Sequence, residues 1–263
     1  MLYDWEYRRR RDDIRFYTTL ADERGGPILD LGCGTGRLLV PLLRAGHTVV
    51  AVDRAAAMLS RAAARVRRLA APLRQRALLL RGDFAALGFA PRFAFAVAAF
   101  HAVQELGTDD ALLACFRGVA GALEPGGWFA FDTFAPDAGF QERDPRLRWA
   151  RTRFRHPASG ERLVYSETHR RRGEILAMTF HYQPVDGRGR PQGPERRISL
   201  QHRLLAPAKV AALLEEAGLT LIASWGGWDG QPLGADTEQH VYLARRGPPP
   251  RPPKRTGGSR ESP

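Results

Sequence analysis

Residues 27–53 read PILDLGCGTGRLLVPLLRAGHTVVAVD, and the reading of this stretch decides the fold. Ile28 to Leu31 form a short apolar run of the kind that makes a parallel strand buried on both faces. Gly32, Gly34 and Gly36 alternate through the turn that follows, and Leu38, Leu39, Leu42 and Leu43 then repeat at helical spacing. Gly46 closes that helix, and Thr48 to Val52 make a second apolar run ending on Asp53. The result is a strand–turn–helix–strand unit with an acid about 20 positions past the glycines, as nucleoside sites of doubly wound α/β folds need. Glycine admits positive φ and lets a ligand reach the backbone. The first N–H groups of the helix have no intrahelical partner and suit an anionic group such as a carboxylate. Asp53, at a strand tip, is placed to accept hydrogen bonds from both hydroxyls of a ribose.

The spacing separates cofactors. Dinucleotide sites usually read G-x-G-x-x-G, whereas this turn is Gly32-Cys33-Gly34-Thr35-Gly36 with Asp30 two residues ahead of its first glycine. The D-x-G-x-G-x-G stretch resembles motif I of the class I S-adenosylmethionine-dependent methyltransferases. The resemblance implies that Asp30 holds the ammonium of the methionine moiety and that Gly32, Cys33, Gly34, Thr35 and Gly36 cradle the cofactor. It also implies contacts from Asp53 and Arg54. Further likenesses follow in register. Met58, in the first turn of the next helix, matches the residue that packs on the adenine ring. A third strand, Ala77 to Leu80, leads into Gly82-Asp83-Phe84, similar to the family's adenine step, with the carboxylate accepting from the exocyclic amine and Phe84 offering an apolar surface. A fourth strand, Phe93 to Phe100, runs into His101-Ala102-Val103-Gln104. The stretch LEPGGWFAFD, ending on Asp132, is like the Pro-Gly-Gly approach to the family's fifth strand.

Ligands of such sheets bind outside the carboxyl ends of the parallel strands. That rule puts Phe100 beside the cofactor and turns His101, Gln104 and Asp132 toward the methyl acceptor. His101 either serves as general base, since imidazole titrates near neutral pH, or only shapes the pocket. Asp132 either faces the substrate or caps its loop. The loop FHAVQEL lacks the Asn/Asp-Pro-Pro-aromatic sequence typical of base-modifying nucleic-acid methyltransferases. Tyr3 and Tyr17 lie on a leading helix predicted over residues 1–24. The resemblance makes them part of a cofactor lid, whereas their helical spacing makes them packing residues.

From about Pro136 to Leu205, helical periodicity gives way to short runs rich in Arg, Thr, Tyr and Phe between turn clusters. Four antiparallel strands are expected, at Trp149–Arg155, Arg162–His169, Glu174–Gln183 and Arg196–Leu204, roofing the site as family insertions that set substrate choice do. Tyr165 and Tyr182 lead the candidate substrate contacts, with Arg151, Arg153, His169, His181, His202 and Arg203 behind them. Alternation along a strand turns only some of these inward. The histidines have neither helical i, i+4 spacing nor cysteine or paired-acid company, so no metal is expected. A helix from Pro207 to Gly218 and two strands, Leu219 to Ser224 and His240 to Ala244, resemble the antiparallel close of the family's sheet.

Bulk properties bound the rest. A chain of 263 residues, 44% hydrophobic, suits one large domain or one domain with an insertion. The formal net charge of +12 comes almost entirely from arginine, since Lys209 and Lys254 are the only lysines. No aromatic–basic module accompanies that charge, so solvated faces are expected rather than a nucleic-acid surface. Cys33 and Cys115 read as reduced structural thiols. No run of about 18 apolar residues occurs, and MLYDWEYRRRRDD has charge where a signal peptide has its apolar core. A soluble, cytoplasmic protein with no membrane partner is expected, ending in a disordered Pro/Gly/Arg-rich tail over 247–263. The fold expected is a doubly wound, seven-stranded Rossmann-like methyltransferase sheet (1–135 and 205–246) with an inserted antiparallel β lid (136–204). It would move a methyl from S-adenosylmethionine, leaving S-adenosylhomocysteine, to an oxygen or nitrogen of a small molecule by in-line displacement. A homodimer is the candidate assembly. An RNA methyltransferase and a non-catalytic S-adenosylmethionine-binding regulator stay open as alternatives.

Overall fold

Strand β1 (Ile28–Leu31) is buried at every position, as a strand in the middle of a sheet covered on both faces must be. The computed structural model describes residues 10–156, 159–234 and 237–247. Tyr3 and the tail after residue 247 lie outside the described residues. β1 pairs in parallel with β2 (Val49–Asp53) on one side and β4 (Phe93–Ala98) on the other. β3 (Ala77–Arg81) extends the sheet beyond β2, while β5 (Leu123–Phe134), β11 (Gln239–Arg246) and β10 (Leu219–Trp225) extend it beyond β4. The seven strands run β3-β2-β1-β4-β5-β11-β10, with β11 antiparallel to both its neighbours. Chain order reverses at β1, so the loops leaving β1 and β4 flank a crevice at the carboxyl edge.

Helices cover both faces. α1 (Asp12–Arg24), α2 (Leu39–Arg44) and α3 (Ala56–Val66) pack Tyr17, Leu42, Leu43 and Val66 against Ile28, Val49 and Phe95. A short helix, α4 (Ala71–Arg74), leads into β3. On the other face, α5 (Asp109–Ala122) brings Leu112, Phe116 and Val119 onto Leu29, Phe129 and Phe131. α5 starts where Thr108 accepts a hydrogen bond from the Ala111 N–H at 3.1 Å, with Asp109 and Asp110 in the first turn where the helix dipole favours them. No helix among the described residues is long and apolar enough to cross a membrane.

After β5 comes α6 (Ala138–Gln141), a single turn too short to show a sequence period. A four-stranded antiparallel meander follows: β6 (Trp149–Arg155), β7 (Arg162–Arg172), β8 (Ile175–Pro184) and β9 (Arg196–Arg203). α7 (Pro207–Glu216) then returns the chain to the main sheet, adding Val210 and Leu214 to its core. Register in the second sheet sets Tyr165 opposite Tyr182, His169 opposite Met178 and Leu176 opposite His202. By alternation these share one face, and His202 on it meets His101 of the main domain. Arg153, Arg162, Arg170 and Arg172 project from the opposite face and are exposed.

A buried glutamine stitches the two sheets together. Gln104 lies in a short 3-10 turn (Ala102–Glu105) after β4 and is 1% exposed. Its Nε2 donates to the carbonyls of Phe134 (3.0 Å) and Arg203 (2.8 Å), and its Oε1 accepts from the Phe134 N–H at 2.6 Å. The expected substrate contact is therefore a backbone clamp, with its amide fully engaged. Arg203 is likewise structural, its guanidinium held by Glu174 at 2.7 Å and by Asp109, with Lys209 on Glu174 at 2.7 Å. Gln104→Ala leaves three buried backbone groups unpaired, each worth about 1–3 kcal/mol. A stability loss of roughly 3 kcal/mol or more is expected in denaturant titration, together with faster amide exchange in β9.

Candidate active site

The glycine turn is shaped before any ligand arrives. The N–H groups of Gly32 and Cys33 both donate to the Val52 carbonyl, at 2.8 and 3.1 Å. Gly32 has φ +66°, and a Cβ there would stand 2.9 Å from the Ala102 Cβ. Gly36 has φ +78°, and its Cβ would press on Ala62 of α3 at 3.3 Å. These two positions therefore need glycine for conformation and for space. Asp53 accepts from the N–H groups of Gly34 and Ala55, both at 2.8 Å, and so fixes the turn and the start of α3 together. Gly82 donates to the Asp53 carbonyl at 3.2 Å, holding the end of β3 beside this acid.

Asp30 is the unusual group. It is 2% exposed, and its Oδ2 has no hydrogen-bond partner among the described residues. Burial, then the nearby charge of Asp53, pushes its pKa up to about 7. A buried carboxylate with an orphan oxygen is stable as an anion only when a cation or donor meets it. Cys33 and Cys115 are buried free thiols, both pushed up by burial, Cys115 to about 12. Thr35 is buried, and Met58 lies half-buried in the first turn of α3. Asp83 is exposed and accepts from the Ala85 N–H at 2.9 Å. Phe84 departs from expectation: at 7% exposure it belongs to the core beneath Gly32 and offers no open face to an adenine. Arg54 reaches across to Glu105 at 3.2 Å, and burial raises the pKa of that glutamate.

The other wall begins where β4 ends. Phe100 and His101 both hold left-handed backbone, with φ of +61° and +64°, although neither is glycine. Asp132 accepts from both of their N–H groups, at 2.8 and 3.1 Å, and from the Tyr17 hydroxyl at 2.6 Å. Asp132 and Tyr17 are wholly buried. Asp132 is thus an anchor for the turn rather than a substrate contact, and Tyr17 is a buried strut rather than a face of a lid. Burial lifts the Asp132 pKa to about 7, against the hydrogen bonds it accepts, and lifts that of Tyr17 well above 10.

His101 Nε2 lies 2.7 Å from Gln239 Oε1 and 3.5 Å from Asp132 Oδ2. Both oxygens are acceptors, so the proton sits on Nε2 and Nδ1 carries the lone pair. Burial lowers the His101 pKa to about 4. Its ring stacks on Phe100 at 5.0 Å, and Phe100 lies under the Arg37 guanidinium, also 5.0 Å away. A cleft of about 390 Å³ passes Gln239, lined as well by Asp12, Trp228 and Gln231. Tyr182 is 3% exposed, its ring packed in an aromatic group with Phe154 and Tyr165, and the Tyr165 hydroxyl donates to Glu167 at 2.7 Å. Both tyrosines are built into the second sheet. Gln239 carried no sequence signal, because it opens a late strand far from every motif.

Residues 28–127 match the profile of a methyltransferase-domain family. That match covers 100 of the chain's 263 residues. Among relatives, the uncharacterized methyltransferase GK2543 of Geobacillus kaustophilus is 31% identical over 150 residues, 54% of this chain and 61% of that protein. Cypemycin N-terminal methyltransferase of a Streptomyces species is 26% identical over 226 residues, 84% of each chain. The solved glycopeptide N-methyltransferase MtfA, in complex with S-adenosylmethionine, matches with a TM-score of 0.60 at 27% identity, over 87% of this chain and 86% of that one. This chain spans 61%, 50% and 52% of the length of the relatives that are 30–31% identical to it. The residues present fit S-adenosylmethionine: an orphaned buried carboxylate oxygen for an ammonium, and a turn in which a Cβ would intrude.

An ammonium favours ionised Asp30, so binding of S-adenosylhomocysteine below pH 7 is expected to release a proton. Affinity should rise with pH to about 7 and level off above it. Asp30→Asn should bind about tenfold more weakly or worse and lose this dependence. Calorimetry in buffers of different ionisation enthalpy measures both effects.

Proposed function

We propose that the protein is an S-adenosylmethionine-dependent methyltransferase acting on a nitrogen or oxygen of a small molecule. The observation that carries this reading is the unpaired, buried Asp30 oxygen beside the glycine turn. When bound, S-adenosylmethionine supplies an electrophilic methyl group on a sulfonium. The chain binds, orients and excludes water. Asp30 pairs the ammonium, Asp53 takes the ribose hydroxyls and Asp83 the adenine amine. Phe100 and His101 stand on the loop after β4, where methyl and acceptor meet, and the rate derives mainly from proximity and orientation.

Nitrogen is the favoured acceptor. With its pKa lowered to about 4, His101 is a poor base for a hydroxyl, but it suits a nucleophile that arrives neutral and needs only alignment. Cypemycin N-terminal methyltransferase and the glycopeptide enzyme MtfA, by their names, methylate nitrogen. An RNA substrate has less support, since the loop FHAVQEL after β4 lacks the Asn/Asp-Pro-Pro-aromatic sequence typical of base-modifying nucleic-acid methyltransferases. A cytoplasmic location belongs to the same proposal, supported by two cysteines that are both free thiols.

Calorimetric titration with S-adenosylhomocysteine tests the cofactor site. Wild type should bind, and Asp53→Ala should bind at least about tenfold more weakly, having lost a charged acceptor for two hydroxyls. Label from a methyl-labelled donor should then pass to amines in an acceptor screen. A wild-type protein that binds no S-adenosylhomocysteine overturns the reading.

A further inference from the structure

The second sheet turns one face toward the loop carrying His101, and three buried nitrogens on that face have no hydrogen-bond partner among the described residues. They are Nδ1 and Nε2 of His169 and Nδ1 of His202. Each of these residues is 6% exposed. His202, near the end of β9, meets His101 edge-on with ring centres 5.4 Å apart. His169, on β7, stacks on Phe140 at 4.3 Å. Phe140 packs on Phe134, whose ring lies 6.0 Å from that of His101. The register then sets Met178 and Leu200 in the row of His169, and Leu176 beside His202. Two polar rings therefore border Leu176, Met178 and Leu200; the charges nearest His169, Glu167 and Arg143, are matched to each other at 3.5 Å, and Arg171 is held by Gln141 at 2.7 Å.

An unpaired polar atom at this depth is destabilising, so its persistence calls for a partner that arrives from outside. No three metal-ligand side chains converge among the described residues. Burial lowers the pKa of His202 to about 3 and that of His169 below its usual range, so the rings are neutral near pH 7. A neutral imidazole offers one N–H and one lone pair, and pairs with N–H and O–H groups. It carries no charge with which to hold a carboxylate or phosphate. The apolar row between the rings suits a hydrocarbon body.

Resting on the methyltransferase reading above, we propose that His202 and His169 bind the methyl acceptor, and that this acceptor is an uncharged, largely apolar ring compound bearing N–H or O–H groups. Its nucleophilic group meets His202 beside His101, and a second polar group reaches His169. Gln104 acts as a positioning residue for His202, because it holds the carbonyl of Arg203, the next residue in the chain.

The probes are para-aminophenol and para-aminobenzoate, similar rings that differ in charge. Each is titrated into the full chain saturated with S-adenosylhomocysteine, with isotope-labelled histidine rings followed by NMR and affinity by calorimetry. Para-aminophenol should shift the His169 and His202 ring signals, and para-aminobenzoate should bind about tenfold more weakly or not at all. His202→Phe and His169→Phe should each weaken para-aminophenol by about tenfold or more while leaving S-adenosylhomocysteine affinity within about twofold. Both should also raise the unfolding midpoint, since an unpaired polar group is gone. His202→Gln, which keeps a hydrogen-bonding group, should recover part of the binding. Unmoved histidine signals, equal binding of the carboxylate, or undiminished affinity in both variants overturns the proposal. Failure of wild type to bind S-adenosylhomocysteine overturns instead the methyltransferase reading on which it rests.

Discussion

The constraint on which the site depends is the grip of one buried carboxylate on two left-handed residues. A non-glycine residue in that backbone region costs of order 1–3 kcal/mol, and Phe100 and His101 adopt it in succession. They stay there because Asp132 takes both N–H groups in charge-assisted hydrogen bonds, each worth about 1.5–3 kcal/mol. The two magnitudes are comparable, so the turn is held without a large excess on either side. Tyr17 tips the balance by bonding the same carboxylate from α1. Strain of this kind, overdetermined by its surroundings, collects where side chains must point somewhere a relaxed chain would not send them.

From this grip the rest of the wall follows. Holding the turn tight brings the His101 ring under β11, where Gln239 fixes its Nε2 proton. The burial that makes the carboxylate a strong anchor also removes water from the imidazole, which is why His101 is so weakly basic. One packing arrangement therefore decides both the ring's direction and its chemistry. On the cofactor side the logic is opposite. Asp53 has its partners within the chain, whereas Asp30 has one oxygen waiting.

Much of this was legible in the sequence. β1, β2 and β4 read as apolar runs because they are buried on both faces, and the glycine turn was marked by a spacing typical of strand–helix junctions in doubly wound sheets. The four strands of the second sheet were found from alternation and turn clusters, since those signals are local. The fates of Gln104, Asp132 and Tyr182 were not legible. Each sits where a pocket residue would, and each is taken up by a partner far away in the chain: Arg203 for Gln104, Tyr17 for Asp132, and Phe154 and Tyr165 for Tyr182. A sequence pattern reports which edge of the sheet a side chain reaches, but not whether another segment has already satisfied it. Phe84 failed for a related reason, because the closeness of Gly32 to Ala102 leaves its ring beneath the turn.

The second sheet divides its chemistry by face. Charge goes outward, where Arg148 and Arg197 meet Glu195 and where exposed arginines hold the surface in water. The other face carries aromatic rings, aliphatic rows and neutral imidazoles, with Arg171 and Glu167 on it and Glu167 paired to Arg143 at 3.5 Å. Arg153, Arg162, Arg170 and Arg172 are thereby kept off the face whose His202 meets His101. At the turn itself, the buried Asp132 carboxylate already accepts from three donors. The Gln104 clamp holds this face at a fixed distance from the turn it covers.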